Sequence, residues 1–196
     1  MFRHLAEDIA FLLITRKIVK IEERDIYVYG LEVLLLNGSL LLLYLLISWL
    51  SGTMINFLAY MMFFFPLRIF SGGYHASRSE KCFVASTIMY IISVVIVKLL
   101  PDLYQDCYWT FTLIISVIII LIFAPLVNVN NPLNEFQRKR NRIIVLFLIL
   151  LDLGLFILFS RFSIAMATNE MIFIIFDAIL LIIGKIAQYM YSDENQ

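Results

Sequence analysis

The chain has 196 residues, of which 62% are hydrophobic, and its formal net charge at pH 7 is zero. Soluble globular domains are nearer half apolar, so the mean hydropathy of +0.93 indicates an integral membrane protein. Apolar runs of about 20 residues, without the alternation of barrel strands, exclude a transmembrane β-barrel, and the zero net charge gives no reason to expect nucleic acid as a partner. We therefore predict an all-α membrane protein with a single domain over residues 1–196.

The N-terminal segment has the pattern of an amphipathic helix. The apolar residues that share one face at helical spacing are Phe2, Leu5, Ala6, Ile9, Leu12 and Leu13. Two interpretations are equally open, namely an interfacial helix on the inner leaflet and a helix packed against the edge of the bundle. Residues 1–25 then form this helix and a charged connector. Because Glu7 and Asp8 stand where the apolar region of a signal peptide would begin, we expect no signal peptide.

Six further apolar segments follow, and their lengths suit a hydrocarbon core of about 30 Å. They cover residues 30–50, 54–67, 83–100, 108–126, 143–159 and 171–190. The second segment is the shortest, and we expect Pro66 to end it. The segments predict a bundle of about six transmembrane helices over residues 26–190, followed by a polar tail of residues 191–196.

Basic residues are distributed unevenly between alternate loops. Thirteen of the 15 would lie on one side of the membrane, and only Lys98 and Arg161 would lie on the other. Because cytoplasmic loops carry the excess of Lys and Arg, the first side is cytoplasmic. This distribution predicts that both termini are cytoplasmic and that the polar segment 68–82 lies at the cytoplasmic face. It also places the two cysteines, Cys82 and Cys107, at opposite faces, so we expect no disulfide, and Cys107 is interpreted as an inert thiol.

Segment 68–82 contains the residue types of a cysteine nucleophile and its base, His75 and Cys82. On one continuous helix the two would be about 10.5 Å apart along the axis, too far for a hydrogen bond. Gly72 and Gly73 are expected to break the helix, and residues 77–80 match a capping box that starts a new one. Such a break would let His75 fold back towards Cys82.

A cysteine near a helix N-terminus, with Arg78 and Lys81 close by, is favoured as a thiolate. With His75 as general base, the sulfur of Cys82 would attack a carbonyl carbon and form an acyl-enzyme. The simpler interpretation is a small buried cysteine and a histidine that faces the lipid headgroups. The spacing alone favours that simpler interpretation.

The run Ser71-Gly72-Gly73-Tyr74-His75-Ala76, followed by Cys82, resembles the signature of the accessory gene regulator protein B (AgrB) family. The six-span layout and Arg68 just before the glycines extend the likeness, as do Ala124 and Pro125 ahead of the basic run. The resemblance therefore covers nearly the whole chain as architecture, although only the glycine-histidine-cysteine motif is specific.

The resemblance implies a membrane cysteine endopeptidase of bacterial peptide quorum sensing, in which Cys82 is the nucleophile and His75 its base. Its substrate would be a short propeptide with an amphipathic N-terminal and an acidic C-terminal segment. An internal substrate Cys or Ser would then attack the acyl-enzyme and release a cyclic thiolactone or lactone. The implied location is the bacterial cell membrane, with the active site at the cytoplasmic face. We expect no cofactor and no metal, membrane lipid as a partner, and a homodimer as a further candidate assembly.

Three residues are candidates to support this pair. Arg68 precedes the glycines, and backbone amides near Ser77 are candidates for an oxyanion hole. Glu32 lies at the cytoplasmic end of the first span, where it would either orient His75 or pair with Arg68. The pairing with Arg68 is the favoured interpretation of Glu32.

Two acids lie deeper in the predicted spans, Asp152 near mid-membrane and Asp177 in the outer half. We expect both to be too far from His75 to act on it. Two roles stay open for them, pairing with Lys98 or Lys185 and polarising a release path. These intramembrane charges motivate the alternative function, a non-enzymatic six-helix transporter or a peptide-export component. The two halves show no internal similarity of the kind that transporters often have.

A basic run follows the fourth span, and its members are Arg138, Lys139, Arg140 and Arg142. The simpler interpretation is an ordinary cytoplasmic flank of a transmembrane helix. The functional interpretation is that these residues attract an acidic substrate tail or anionic lipid.

Overall fold

The structure, a computed structural model, describes residues 2–72, 79–100, 102, 105–126 and 134–193, and it describes residues 79–82 and 190–193 by their backbone alone. Seven helices account for most of the described chain. They are α1 (Phe2–Thr15), α2 (Arg24–Ser51), α3 (Met54–Ser71), α4 (Ser79–Leu99), α5 (Cys107–Phe123), α6 (Glu135–Phe162) and α7 (Ile164–Asp193). A short 3₁₀ turn, Ile21–Glu23, leads into α2.

Each predicted span corresponds to one of the helices α2 to α7. Helices α2, α3 and α6 are long and apolar enough to cross a membrane, and α4 and α5 carry shorter apolar stretches, Phe83–Leu99 and Cys107–Phe123. The structure therefore confirms the prediction of an all-α membrane protein. The number of crossings and the side on which the termini lie stay predictions.

Helix α1 packs along α2 through small residues. Ala6 and Ala10 are buried against Val28, and Leu31 and Leu35 of α2 complete the contact. Small side chains let the two helix backbones approach closely, as is common between helices in membranes. The packing agrees with a helix at the edge of the bundle, and a position at the membrane interface stays a prediction.

The turn between α2 and α3 is a left-handed glycine cap. Gly52 has φ +70°, and its N–H donates to the carbonyl of Trp49 at 3.3 Å. Glycine adopts this backbone conformation without the steric cost that a Cβ imposes.

Helix α3 does not end at Pro66, so that prediction was wrong. A π-helical turn, Tyr60–Phe64, precedes the proline, and an α-helical segment, Phe65–Ser71, follows it. The π turn changes the hydrogen-bond register and places Pro66 in the first turn of a new α segment. A backbone N–H is dispensable at that position. The helix consequently reaches Ser71.

Helix α7 is the central helix of the bundle, since residues 167–175 are buried on every face. A cluster of three tyrosine rings joins α2, α3 and α4. Tyr44 stacks on Tyr90 with ring centroids 4.1 Å apart, and Tyr60 meets both rings edge-on. The Tyr90 hydroxyl also hydrogen-bonds to Ser48 at 2.6 Å. These contacts fix the position of α4, the helix that carries Cys82.

Candidate active site

The predicted catalytic pair is described only in part. His75 lies outside the described residues, as do Ser77 and the capping box that was expected to begin there. Cys82 lies on α4, three residues after Ser79, where the structure describes the backbone alone. The approach of His75 to Cys82 therefore stays a prediction, and the geometry below concerns the residues that flank this segment.

The predicted helix break is confirmed at Gly72. Helix α3 ends at Ser71, and Gly72 has φ +72° and ψ −138°, a conformation that L side chains rarely adopt. A Cβ built on Gly72 would lie 2.5 Å from the carbonyl oxygen of Leu126. Position 72 therefore needs glycine for two reasons, its backbone angles and its close approach to a neighbouring chain segment.

That neighbouring segment is residues 124–126, which directly follow α5. The Leu126 N–H donates to the carbonyl of Ser71 at 2.9 Å, and Leu126 forms an isolated parallel bridge with Gly72. From α6, the Arg142 guanidinium donates to the carbonyl of Ala124. One basic residue of α6 thus holds the segment after α5, which in turn holds the end of α3.

Asp177 of α7 approaches the same place from the core. The Ser71 hydroxyl donates to Asp177 Oδ1 at 3.0 Å, and Arg68 Nη1 lies 3.9 Å from the same oxygen. Arg68 Nη1 also donates to the carbonyl of Gly72. We refer to Arg68, Ser71, Gly72, Leu126 and Asp177 as the polar junction.

The predicted position of Asp177 was wrong. It lies beside the end of α3, and its contacts in the described chain are with Arg68 and Ser71, not with Lys98 or Lys185. Helix α7 has 30 residues and is about 45 Å long, longer than the hydrocarbon core. Position along the sequence therefore gives a poor estimate of depth in this helix.

Two further acids are buried near Asp177, Asp152 on α6 and Glu170 on α7. Asp152 interacts electrostatically with Asp177, and Glu170 does so with Asp152. Within the described chain, neither oxygen of Glu170 has a hydrogen-bond partner, nor does Asp152 Oδ2. Glu170 was not predicted as a functional residue, since it directly precedes the predicted sixth span, residues 171–190. Its spacing of seven residues from Asp177, two turns on the same helix face, is the signal that was available.

A cavity of about 670 Å³ opens between the end of α5 and the start of α6. Its walls are formed by Ile122, Phe123, Ala124, Pro125, Glu135, Arg138, Lys139, Arg142 and Ile143. Three of the four predicted basic residues therefore line one cavity. Arg140, the fourth, is exposed outside it and points a guanidinium nitrogen to within 3.5 Å of the Asn141 amide oxygen.

Helix α6 begins with a capping box, which fixes the basic run beside this cavity. The Asn134 side chain accepts from the Gln137 N–H at 2.8 Å, and the Gln137 side chain accepts from the Asn134 N–H at 3.1 Å. Glu135 in the first turn suits the positive end of the helix dipole.

The other candidate residues are placed as follows. Glu32 is half-buried on α2, and its role beside His75 or Arg68 stays a prediction. Cys107 is a free, exposed thiol at the start of α5.

Comparison with known proteins gives one match. The family model described as Accessory gene regulator B matches residues 6–190, which includes the polar junction, the histidine–cysteine segment and the basic run. No curated protein and no solved structure matches the chain.

Proposed function

The chain belongs to the accessory gene regulator B family, and from this membership we propose that it is a membrane cysteine endopeptidase. The family acts in the accessory gene regulator system of quorum sensing, which implies a propeptide substrate. We propose that this chain cleaves the C-terminal part of that propeptide and closes the remainder into a cyclic thiolactone or lactone.

The proposed reaction has two steps. The sulfur of Cys82 attacks the carbonyl carbon of the scissile peptide bond, His75 takes the thiol proton, and that proton passes to the departing amine of the tail. The thioester so formed is then attacked by an internal thiol or hydroxyl of the substrate. The new ring bond forms as the Cys82–acyl bond breaks, and the proton of the internal thiol or hydroxyl passes through His75 to the Cys82 sulfur.

The second step is nearly neutral in bond energy when the internal nucleophile is a thiol, since one thioester replaces another. The first step, which makes a thioester from a peptide bond, is the unfavourable one, and departure of the tail draws it forward. Water competes with this attack, and a water-poor membrane interface would protect the acyl-enzyme from hydrolysis. The proposal therefore agrees with a nucleophile on a helix of the membrane bundle.

The observation that carries the proposal is the end of α3 at Gly72. If the motif were one continuous helix, His75 and Cys82 would be about 10.5 Å apart along its axis. The positive φ of Gly72 ends α3 three residues before His75, while Cys82 belongs to the separate helix α4. Ser71 and Cys82 therefore lie on two separate helices, so the distance along a single helix axis does not apply to the pair.

We further propose that the cavity beside α6 receives the acidic tail of the propeptide. Arg138, Lys139 and Arg142 contribute three positive charges, against the single carboxylate of Glu135. Arginine forms bidentate hydrogen bonds with carboxylates, which suits a tail rich in Asp or Glu. The cavity wall at Ala124 lies two residues from Leu126, so a bound tail would lie close to the polar junction.

The test is cleavage of a propeptide co-expressed with the chain, followed by mass spectrometry. We expect Cys82→Ser and His75→Ala to abolish the cleaved product while both variants remain in the membrane in wild-type amount. Cys107→Ser is the matched control, because it removes the other thiol and is expected to cleave normally. Cleavage by Cys82→Ser at the wild-type rate would exclude Cys82 as the nucleophile.

Buried carboxylates favour a second candidate function, that of a non-enzymatic transporter or peptide-export component. Asp152 and Glu170 are buried with carboxylate oxygens that lack hydrogen-bond partners in the described chain, a feature common on ion pathways in transporters. In sealed vesicles, export of a pre-formed cyclic peptide by Cys82→Ser would support this function. Loss of export in the same variant would argue against it.

A further inference from the structure

We infer that Asp177 is a positioning residue for the catalytic segment. Its buried carboxylate orients Arg68 and Ser71, and these two residues fix the chain at Gly72, from which His75 follows three residues later. The inference rests on the proposed function, because it concerns the geometry of the same histidine–cysteine pair.

The buried carboxyl group of Asp177 makes its polar contacts with residues at the end of α3. Asp177 is fully buried, and a buried carboxyl group stays ionised only with hydrogen bonds or a cation beside it. Both are present at Oδ1, which accepts from Ser71 at 3.0 Å and lies 3.9 Å from Arg68 Nη1. Oδ2 has no hydrogen-bond partner in the described chain, so the polar contacts of Asp177 converge on the end of α3.

Arg68 links Asp177 to the backbone of Gly72. The same nitrogen that faces Asp177 donates to the carbonyl of Gly72, and the Arg68 side chain is 19% exposed. A guanidinium in such a place is held inward by the anion. Without that anion, its long side chain would extend towards the headgroups, as arginine does near helix ends in membranes, and would release the Gly72 carbonyl.

The position of Gly72 limits where His75 can lie. Ser71 and Gly72 are fixed by α7 through Asp177 and by the segment after α5 through Leu126. His75 follows Gly72 by three residues, and three residues of chain span at most about 10 Å. A rotation of roughly 6° at Gly72 would move a group at that reach by about 1 Å, and such a displacement can lower a rate by about 100-fold.

Glu170 shows that burial alone does not give an acid this role. It lies two turns before Asp177 on α7 and is equally buried, yet its oxygens have no hydrogen-bond partner in the described chain. Because Glu170→Gln replaces a carboxyl group of equal burial on the same helix, it is the matched control for Asp177→Asn.

The experiment measures propeptide cleavage by wild type, Asp177→Asn and Glu170→Gln in proteoliposomes, with kcat and KM determined separately. We expect Asp177→Asn to lower kcat by about 10- to 100-fold and to change KM by less than about 3-fold, since positioning affects the transition state more than binding. Glu170→Gln is expected to stay within about 2-fold of wild type in both constants. A kcat of Asp177→Asn that matches Glu170→Gln overturns the inference, as does a loss explained entirely by the amount of folded protein.

A double-mutant cycle separates positioning through Arg68 from a general structural role. If Asp177 acts through Arg68, then Asp177→Asn should add little to the loss already caused by Arg68→Gln. Losses that multiply in the double variant overturn the inference. Should Asp177→Asn fail to fold, Ser71→Ala removes the hydroxyl contact alone. We then expect kcat to fall by about 5- to 10-fold, in line with the net contribution of one hydrogen bond. An unchanged kcat in Ser71→Ala would then contradict the inference.

Different experimental results would contradict the inference and the proposed function. Cleavage by Cys82→Ser at the wild-type rate removes the proposed function whatever the Asp177 variants show. An inactive Cys82→Ser together with a fully active Asp177→Asn leaves the proposed function intact and removes the inference.

Discussion

Gly72→Ala perturbs the polar junction at the point where the structure leaves least room. The new methyl carbon would lie 2.5 Å from the carbonyl oxygen of Leu126, a backbone atom that cannot rotate away. Alanine also disfavours φ +72°, at a cost of about 1 to 3 kcal/mol, and overpacking typically costs about 1 to 3 kcal/mol more. We therefore expect the free energy of unfolding to fall by about 2 to 6 kcal/mol, or the Gly72–Leu126 contact to open.

The assay compares Gly72→Ala with Gly154→Ala by thermal unfolding in detergent and by propeptide cleavage. Gly154 lies within α6, and a Cβ built there meets no atom within 4 Å. In a helix interior, alanine is favoured over glycine by about 0.5 to 1 kcal/mol, so Gly154→Ala should be neutral or stabilising and should cleave normally. Equal stability and equal cleavage in the two variants would refute the reasoning about the polar junction.

Three further predictions concern other parts of the chain. Arg138→Gln should raise KM for an acidic-tailed propeptide by about 2- to 5-fold at low salt, as expected for one partly solvated ion pair. Arg140→Gln, outside the cavity, should change KM by less than about 1.5-fold. KM is measured from initial rates over a range of propeptide concentrations, and equal changes in the two variants would argue against the cavity as the tail site. Tyr90→Phe removes the hydrogen bond to Ser48 and should lower the unfolding free energy by about 1 kcal/mol with normal cleavage per folded molecule. In native membranes a maleimide should label Cys107, and complete protection of this exposed thiol would contradict its position in the structure.

Much of the fold follows from patterns in the sequence. Apolar runs predicted the helices α2 to α7, because a membrane helix must satisfy its backbone internally and face lipid with apolar side chains. The glycine pair predicted the end of α3, since only glycine adopts the backbone angles found at Gly72. These features are local, so a single stretch of sequence contains the information that decides them.

Other features depend on contacts between distant segments. Pro66 was expected to end α3, but a π turn upstream accommodates it, and the sequence gives no simple sign of that turn. Asp177 was placed by counting residues along its span, whereas its position is decided by the packing of α7 against the end of α3. The contact of Gly72 with Leu126 joins residues 54 positions apart and was not predicted.

The role of the basic run was predicted in part. Its attraction for an acidic tail was proposed from charge, but all four residues were treated alike. Helical spacing puts Arg138, Lys139 and Arg142 on one side of α6 and directs Arg140 elsewhere, which is the division seen at the cavity. That division was available from the sequence once the start of α6 was known, and the capping residue Asn134 marks that start.

The most direct test of the proposed function is the intact mass of the chain after brief reaction with a propeptide whose internal nucleophile has been replaced by alanine. Cyclisation is then blocked, so the acyl-enzyme should accumulate. The account predicts an added mass equal to the N-terminal part of the propeptide, attached to Cys82, absent in Cys82→Ser and present in Cys107→Ser. Cleaved propeptide without any covalent adduct, or an adduct retained by Cys82→Ser, would contradict it.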